Sequence, residues 1–262
     1  MSATDVPRPP HDFERVWARL RSVTPARIGL SRTGSSVATR EQLAFQLAHA
    51  EAQDAVNDQI DPASLLAAVR SRSLDAVQLA TMARDRRSYL VRPDFGRRLA
   101  EGSREALAAT PHGHDILFVL ADGLSARAIT DHALPLLDET APPLMRDGWK
   151  IGPVAVVEQA RVAVGDEIGQ LLGAALVAVL IGERPGLTSP NSLAVYLTWS
   201  PKIGRSDAER NCLSNIRPAG MSYKEAADRL VYLCKEARLR QVTGVSLKDN
   251  FKLVGIDTKS IK

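Results

Sequence analysis

The sequence predicts an α/β fold in which an open, mostly parallel sheet is covered by helices and preceded by an N-terminal arm and a helical segment. Three observations predict it. From about residue 112 to 245, short apolar runs alternate with amphipathic helical stretches. The loops that follow those runs are rich in Gly, Asp, Glu, Arg and Ser. The residues before them show helical periodicity, interrupted by Pro and Gly, and no comparable run.

Residues 1 to about 38 carry Pro7, Pro9, Pro10 and Pro25 and then the cluster SRTGSS, which reads as an extended arm with one short helix over DFERVWARLRSV. In TREQLAFQLAHAEAQDAVNDQI, Leu43, Leu47, Ala50 and Ala55 fall near a 3.6-residue period, and Thr39 with Gln42 offers a capping box. The pattern stays helical through PASLLAAVRSRSLDAVQLATMARDRRSYL until Pro93 and Gly96 interrupt it, and RRLAEGSREALAAT starts another helix. DILFVLAD is different: a continuous aliphatic run bounded by charge and glycine, as expected of a strand buried on both faces. After Gly123 comes the helix SARAITDHALPLLDE with Ser125 as N-cap, then the strand GPVAVVEQ, the helix GDEIGQLLGA and the strand LVAVLIGE. The strand SLAVYLTWS leads into two expected helices, DAERNCLSNI and YKEAADRLVYLCKEARL, and NFKLVGIDTKSIK is left as a tail. Strand, loop, helix, strand implies parallel pairing, so the part from residue 111 to 262 reads as Rossmann-like and residues 1 to 110 as arm and helices.

At 262 residues the chain suits one sizeable α/β domain with an extra segment, or two small domains. Hydrophobic residues make up 45% and charged residues 24%, and no apolar run approaches the roughly 20 residues that span a bilayer, so no membrane partner is expected. Cys212 and Cys234 are the only cysteines, and the first residues lack the basic and apolar regions of a secretory signal, which points to the cytoplasm. The net charge is +4, but Arg84, Arg86, Arg87, Arg92, Arg97 and Arg98 crowd around Tyr89 and Phe95. Such a patch suits nucleic acid. With 5% aromatic residues and neither a ribonucleoprotein motif nor a zinc-finger spacing, no nucleic-acid partner is expected, and the cluster reads as a solvated or partner-facing helix.

In open α/β sheets ligands sit beyond the carboxyl ends of the strands, so the loops to inspect are ADGLSA, EQARVAVGDEIG and GERPGLTSPNS. They lack the glycine fingerprint of a dinucleotide site and the Walker A pattern. His112 and His114 in PHGHD are the sole hint of a metal site, and a loop with two histidines is usually only a loop. Cys212 in RNCLSNIR suits either a helix N-terminus with a lowered pKa or a packing or ligand-contact role, and the latter is favoured because no histidine lies near it in sequence. Glu183 and Arg184 suit an acid/base pair, an ion pair, or groups that bind amides and phosphate. Asp166 and Glu167 open a helix, where negative charge is favourable in any case.

The blocks DRRSYLVRPDFGRRL, ADGLSARAITDHALPLL, VVEQARVAVGDEIGQLLGA, LIGERPGLTSPNSLAVYLTWSP and DAERNCLSNIR, in this order, resemble the small subunit (light chain) of ethanolamine ammonia-lyase, from about residue 27 to 247. The resemblance implies a Rossmann-like chain that faces the corrin and nucleotide side of adenosylcobalamin, while a large subunit binds ethanolamine and covers the adenosyl side. It carries the cofactor contacts onto Val162, Glu183 and Cys212, with no catalytic residue and no metal ligand on this chain. Glu183 is then expected to accept hydrogen bonds from corrin carboxamides, Val162 to offer backbone and a small apolar face, and Cys212 to pack where a larger side chain would clash. Arg161 and Arg184 suit the nucleotide phosphate, or else surface ion pairs.

His132 in TDHALPL does not fit the Asp-x-His-x-x-Gly pattern of enzymes that replace the lower base, so the benzimidazole is expected to remain the cobalt's lower ligand. The implied reaction is a radical conversion of ethanolamine to acetaldehyde and ammonia, active only in a hetero-oligomer with the large subunit, in the cytoplasm or inside a bacterial microcompartment. The alternative is a non-catalytic cobalamin-binding or scaffold protein. Two departures stand out: Ala160 occupies a position where the family more often has glycine, and the tail beyond Lys248 has no recognised counterpart.

Overall fold

The computed structural model describes residues 11–251. The arm begins with helix α1 (His11–Ser22) and a two-residue ladder, β1 (Arg32–Thr33) with β2 (Ser36–Val37). Helices α2 (Thr39–Asn57) and α3 (Pro62–Arg70) follow. Then come strand β3 (Ala76–Ala80) and helices α4 (Arg86–Val91) and α5 (Glu101–Ala108). The remainder runs β4 (Ile116–Ala121), α6 (Ala126–Arg146), β5 (Val154–Glu158), α7 (Val164–Leu171), β6 (Leu176–Gly182), β7 (Leu193–Trp199), β8 (Arg210–Ile216) and α8 (Tyr223–Arg240).

Six strands form one sheet in the order β3-β5-β4-β6-β7-β8. The first four run parallel, while β7 pairs antiparallel with both β6 and β8. The expected open, mostly parallel α/β sheet is therefore present. Its strands alternate side chains between two cores. Ile116, Phe118, Leu120, Val156 and Leu180 face α3, α6 and α8, whereas Leu117, Val119, Val157 and Val179 face α5 and α7. All six residues of β4 are buried, as the unbroken apolar run required.

Several local expectations are corrected. AVQLA is not a continuation of a helix: Ser73 adopts the left-handed conformation after α3, and the segment becomes edge strand β3 beside β5, with Leu79 buried. That strand lies ahead of residue 111, so the sheet draws on the helical segment as well. The expected helix DAERNCLSNI is a single 3₁₀ turn, Asp207–Glu209, followed by strand β8. Pairing with β7 satisfies the β8 backbone, and this tertiary gain overrides a helix-compatible sequence. On α2 the capping position falls to Ala38, so Thr39 and Gln42 form no box. Leu43, Leu47 and Ala50 are exposed, and Ala48 and Ala55 carry the buried contacts. Ser125 does occupy the position before α6, but its hydroxyl donates to the Pro190 carbonyl and caps nothing.

Chain order places the site. From the central strand β4 the chain crosses to β5 on one side and then returns to β6 on the other, so the loops after β4 and β6 diverge and leave a crevice at the carboxyl edge. Gly123 makes the close approach possible: its φ is +59°, and a Cβ there would stand 2.3 Å from the Gly182 carbonyl oxygen.

Candidate functional site: the cleft at the carboxyl edge of the sheet

The crevice opens as a cavity of about 230 Å³. Gly123 and Leu124 come to it from the loop after β4, Arg161 and Val162 from the loop after β5, and Glu183 and Arg184 from the end of β6. Tyr89 of α4, Ile181 and Gly182 of β6, and Ala194 and Tyr196 of β7 complete its walls.

Of the three expected contact residues, Val162 and Glu183 line this cavity directly. Cys212 stands one strand further out, where it faces Tyr196 across the β7–β8 ladder. It is on a strand and not at a helix N-terminus; although the residue is exposed, partial desolvation of its thiol against the sheet raises the pKa, with the Glu183 carboxylate adding to the rise. Its surroundings therefore do not favour the thiolate. Desolvation likewise pushes the Tyr196 hydroxyl up to about 12. Glu183 is half-buried; its Oε2 accepts from the Asn215 amide at 3.0 Å, and Oε1 has no partner among the described residues. One carboxylate oxygen thus anchors the side chain and the other is left to accept.

The floor is a polar network that sequence reasoning did not assemble. Asp122, buried at the end of β4, accepts from the amides of Gln159 and Ala160 at 2.9 and 3.0 Å. Burial pushes its carboxyl pKa up, against those two bonds and the Arg86 guanidinium at 3.5 Å. Arg86 is itself buried and donates to the carbonyls of Val56 and Gly123. Tyr89, fully buried, donates its hydroxyl to the Ala160 carbonyl, and its ring is flanked by Arg86 at 4.7 Å and Arg161 at 4.2 Å. These bonds clamp the turn that carries Arg161 and Val162. The left-handed residue in that turn is Gln159 and not Ala160, so position 160 does not require glycine.

The arginine cluster is only in part the expected solvated or partner-facing helix: Arg84, Arg87, Arg92 and Arg97 are exposed, though of these only Arg87 lies on α4, while Arg86 and Arg98 are drawn inward. Arg86 is buried in the network, Arg92 stacks on Phe95 at 4.1 Å, and Arg98 pairs with Glu167 at 3.0 Å. The signal available in the sequence was the interleaving of those arginines with Tyr89 and Phe95. Asp166 and Glu167 likewise do more than decorate the start of α7. Asp166 forms a buried pair with Arg210 at 2.6 Å. Glu167 accepts from Arg98, Arg104 and the Leu99 amide; burial works against its ionisation, but these donors together hold its carboxyl below the ordinary range.

Beside the first cavity lies a second of about 280 Å³, lined by Arg97, Arg161, Val162, Ala163, Arg205, Ser206, Asp207 and Arg210. Arg161 and Val162 stand in the wall between the two. Among the described residues no group of three His, Cys, Asp or Glu side chains is arranged to hold a metal, and the His114 ring nitrogen contacts the Pro111 carbonyl. His132 is buried on α6 against the Tyr223 hydroxyl at 2.8 Å. No helix among the described residues is long and apolar enough to cross a membrane.

Fold and cleft together define an open α/β-sheet protein whose crevice lies at the topological switch point, the place where this architecture holds ligands. The family model described as Ethanolamine ammonia-lyase light chain (EutC) matches residues 14–248. The chain is 51% identical over 257 residues to the ethanolamine ammonia-lyase small subunit of Pseudomonas fluorescens strain Pf0-1, covering 97% of this chain and 94% of that one. It is 51% identical to the small subunit of Azotobacter vinelandii, covering 93% and 92%, and 49% identical to that of Pseudomonas aeruginosa, covering 95% and 93%. The chain belongs to the ethanolamine ammonia-lyase light chain family.

Proposed function

We propose that this chain holds one side of adenosylcobalamin at an interface with an ethanolamine ammonia-lyase large subunit, and that Val162, Glu183 and Cys212 are its contact positions. The observation that carries the reading is their convergence. Three segments far apart in sequence bring Val162 and Glu183 into one cleft, with Cys212 against the Tyr196 that forms its wall.

The lining fits such a ligand. Glu183 Oε1 is free to accept from carboxamide N–H groups, Arg161 and Arg184 can donate to carboxamide or phosphate oxygens, and Val162, Ile181 and Ala194 offer apolar walls to the ring's methyl groups. Size supports a shared site. Pockets that engulf a drug-sized ligand run to roughly 300–1,000 Å³, and cavities of about 230 and 280 Å³ can grip only an edge of a corrinoid. The opposite side is then left to the partner chain.

In this reading the chain orients and excludes water but performs no bond-making step. The raised pKa values of Cys212 and Tyr196 suit that role, since both stay neutral beside the ligand near pH 7. The radical chemistry that turns ethanolamine into acetaldehyde and ammonia comes with adenosylcobalamin. The segment from residue 1 to 110 is the proposed contact with the large subunit. Phe13, Val16, Trp17 and Leu20 form an exposed apolar stripe at helical spacing on α1, and Leu43 and Leu47 are exposed on α2. Arg27 carries the arm to the Leu187 carbonyl in the loop after β6, so that surface continues to the rim of the cleft. A cytoplasmic setting, open or within a microcompartment, accords with two unpaired cysteines.

The test mixes this chain with a large subunit, adenosylcobalamin and ethanolamine, omitting each in turn while acetaldehyde and ammonia are measured. Product that requires all four is the expected result. Turnover without the large subunit would overturn the division of labour. A verified complex with bound cofactor and no product would leave a non-catalytic cobalamin-binding protein.

A further inference from the structure

We propose that the second cavity is an anion subsite that takes the phosphodiester of the ligand's nucleotide loop, with Arg97 and Arg161 as its two guanidinium partners. The proposal rests on the reading above and assigns the phosphate to a different cavity from the one that Glu183 and Arg184 line.

Charge accounting singles out these two arginines. Arg205 is paired with Glu209 and also donates to the Ser200 carbonyl. Arg210 is held by Asp166, Thr198, Asp207 and the Arg205 carbonyl. Arg97 is exposed, and its side chain has no hydrogen bond or ion pair among the described residues; nearby Asp94 is bound by Arg92 at 2.7 Å. Arg161 is held mainly by stacking on Tyr89: its Nη2 reaches the Tyr89 carbonyl at only 3.5 Å, and its Nε is buried without a partner. Two uncommitted guanidinium groups therefore face one excess carboxylate, that of the Asp166–Arg210–Asp207 chain. Asp207 is 92% exposed, where water screens its charge.

The backbone points the same way. The amides of Val162 and Ala163, both lining the cavity, have no acceptor among the described residues, and they stand at the positive end of α7. A tight interlock holds the two arginines near one another. The Arg161 amide donates to the Gly96 carbonyl at 2.8 Å, and a Cβ on Gly96 would stand 2.8 Å from the Gln159 carbonyl oxygen. Guanidinium forks and free backbone N–H groups are what recognise a phosphate oxygen pair.

The experiment titrates the assembled two-subunit enzyme with three corrinoids, followed by absorbance: hydroxocobalamin, cobinamide phosphate, and cobinamide, which has the same ring without phosphate or base. Arg97→Met is expected to weaken the first two on the order of tenfold, as loss of a charge-assisted hydrogen bond does, and to leave cobinamide unchanged. Arg97→Lys should restore part of the difference, because it keeps the charge and loses the fork. Equal weakening of all three, or of none, overturns the subsite. Inorganic phosphate that binds the wild type and not Arg97→Met, while hydroxocobalamin affinity is the same in both, would mark a site for free anion and also overturns it. If no corrinoid binds the wild-type complex, the cofactor reading itself falls.

Discussion

Replacing Asp166 by Asn tests whether the rim of the cleft stands on a buried ion pair. The Asp166 and Arg210 side chains are 2% and 1% exposed and joined by two bonds of 2.7 and 2.6 Å. Burial disfavours charge on both partners. The bond to Asp166 outweighs it for Arg210, which holds its proton more tightly than usual, while burial remains the larger influence on Asp166 and raises its pKa. Asparagine keeps the volume but strands a buried guanidinium, which costs about 3–5 kcal/mol. With a urea dependence of about 2–3 kcal/mol per molar, the unfolding midpoint should fall by roughly 1–2 M. The double variant Asp166→Leu with Arg210→Met removes both charges, so its cost should lie below the sum of the single costs by about 2 kcal/mol. Urea denaturation of the purified chain, followed by far-ultraviolet circular dichroism, measures all of these. A midpoint for Asp166→Asn within about 0.3 M of wild type, or strict additivity in the double variant, would refute the argument that charge pairing at this position secures α7 to β8.

Gly96→Ala should lower the melting temperature, because its Cβ would stand 2.8 Å from the Gln159 carbonyl oxygen and 3.0 Å from both Tyr89 and Arg161. The expected cost is about 1–3 kcal/mol, or about 2–4 °C per kcal/mol for a chain of this size, and an unchanged melting temperature would mean that the contact relaxes freely. Glu209, bonded by the Ser206 amide, Arg205 and the Ser206 hydroxyl, is held at about 2, below its ordinary 4.5. Its contribution to stability is therefore complete above about pH 4.5 and is lost as pH falls toward 2. Stability measured from pH 6 to 3 should accordingly decline less steeply in Glu209→Gln than in wild type. Identical acid limbs would remove Glu209 from the account.

Legibility of the fold followed burial. The strands that became β4, β5 and β6 announced themselves because a parallel strand covered on both faces must be apolar at nearly every position. β3 and β8 lie at the two edges of the sheet, where only some positions are buried, and their sequences suit helix as readily as strand. The candidate site was legible to the same extent. Its loops could be named from the order of strands, since ligand crevices form where loops diverge at the carboxyl edge. The floor could not. Asp122, Arg86 and Gln159 meet only because β3, β5 and β4 are neighbours, and nothing in their spacing along the chain announces the network.

What the sequence determined by itself is the alternation of apolar runs and amphipathic helices, the polar composition of three loops, and a family resemblance that named Val162, Glu183 and Cys212. What only the tertiary structure decided is which charges are spent and which are free. Asp166, Glu167 and Arg210 are consumed in buried pairs, Cys212 is a neutral strand residue beside Tyr196, and Arg97 and Arg161 remain available at the wall of a cavity. Composition counts charges, but their pairing is fixed by distances of a few ångströms between segments that the sheet order alone brings together.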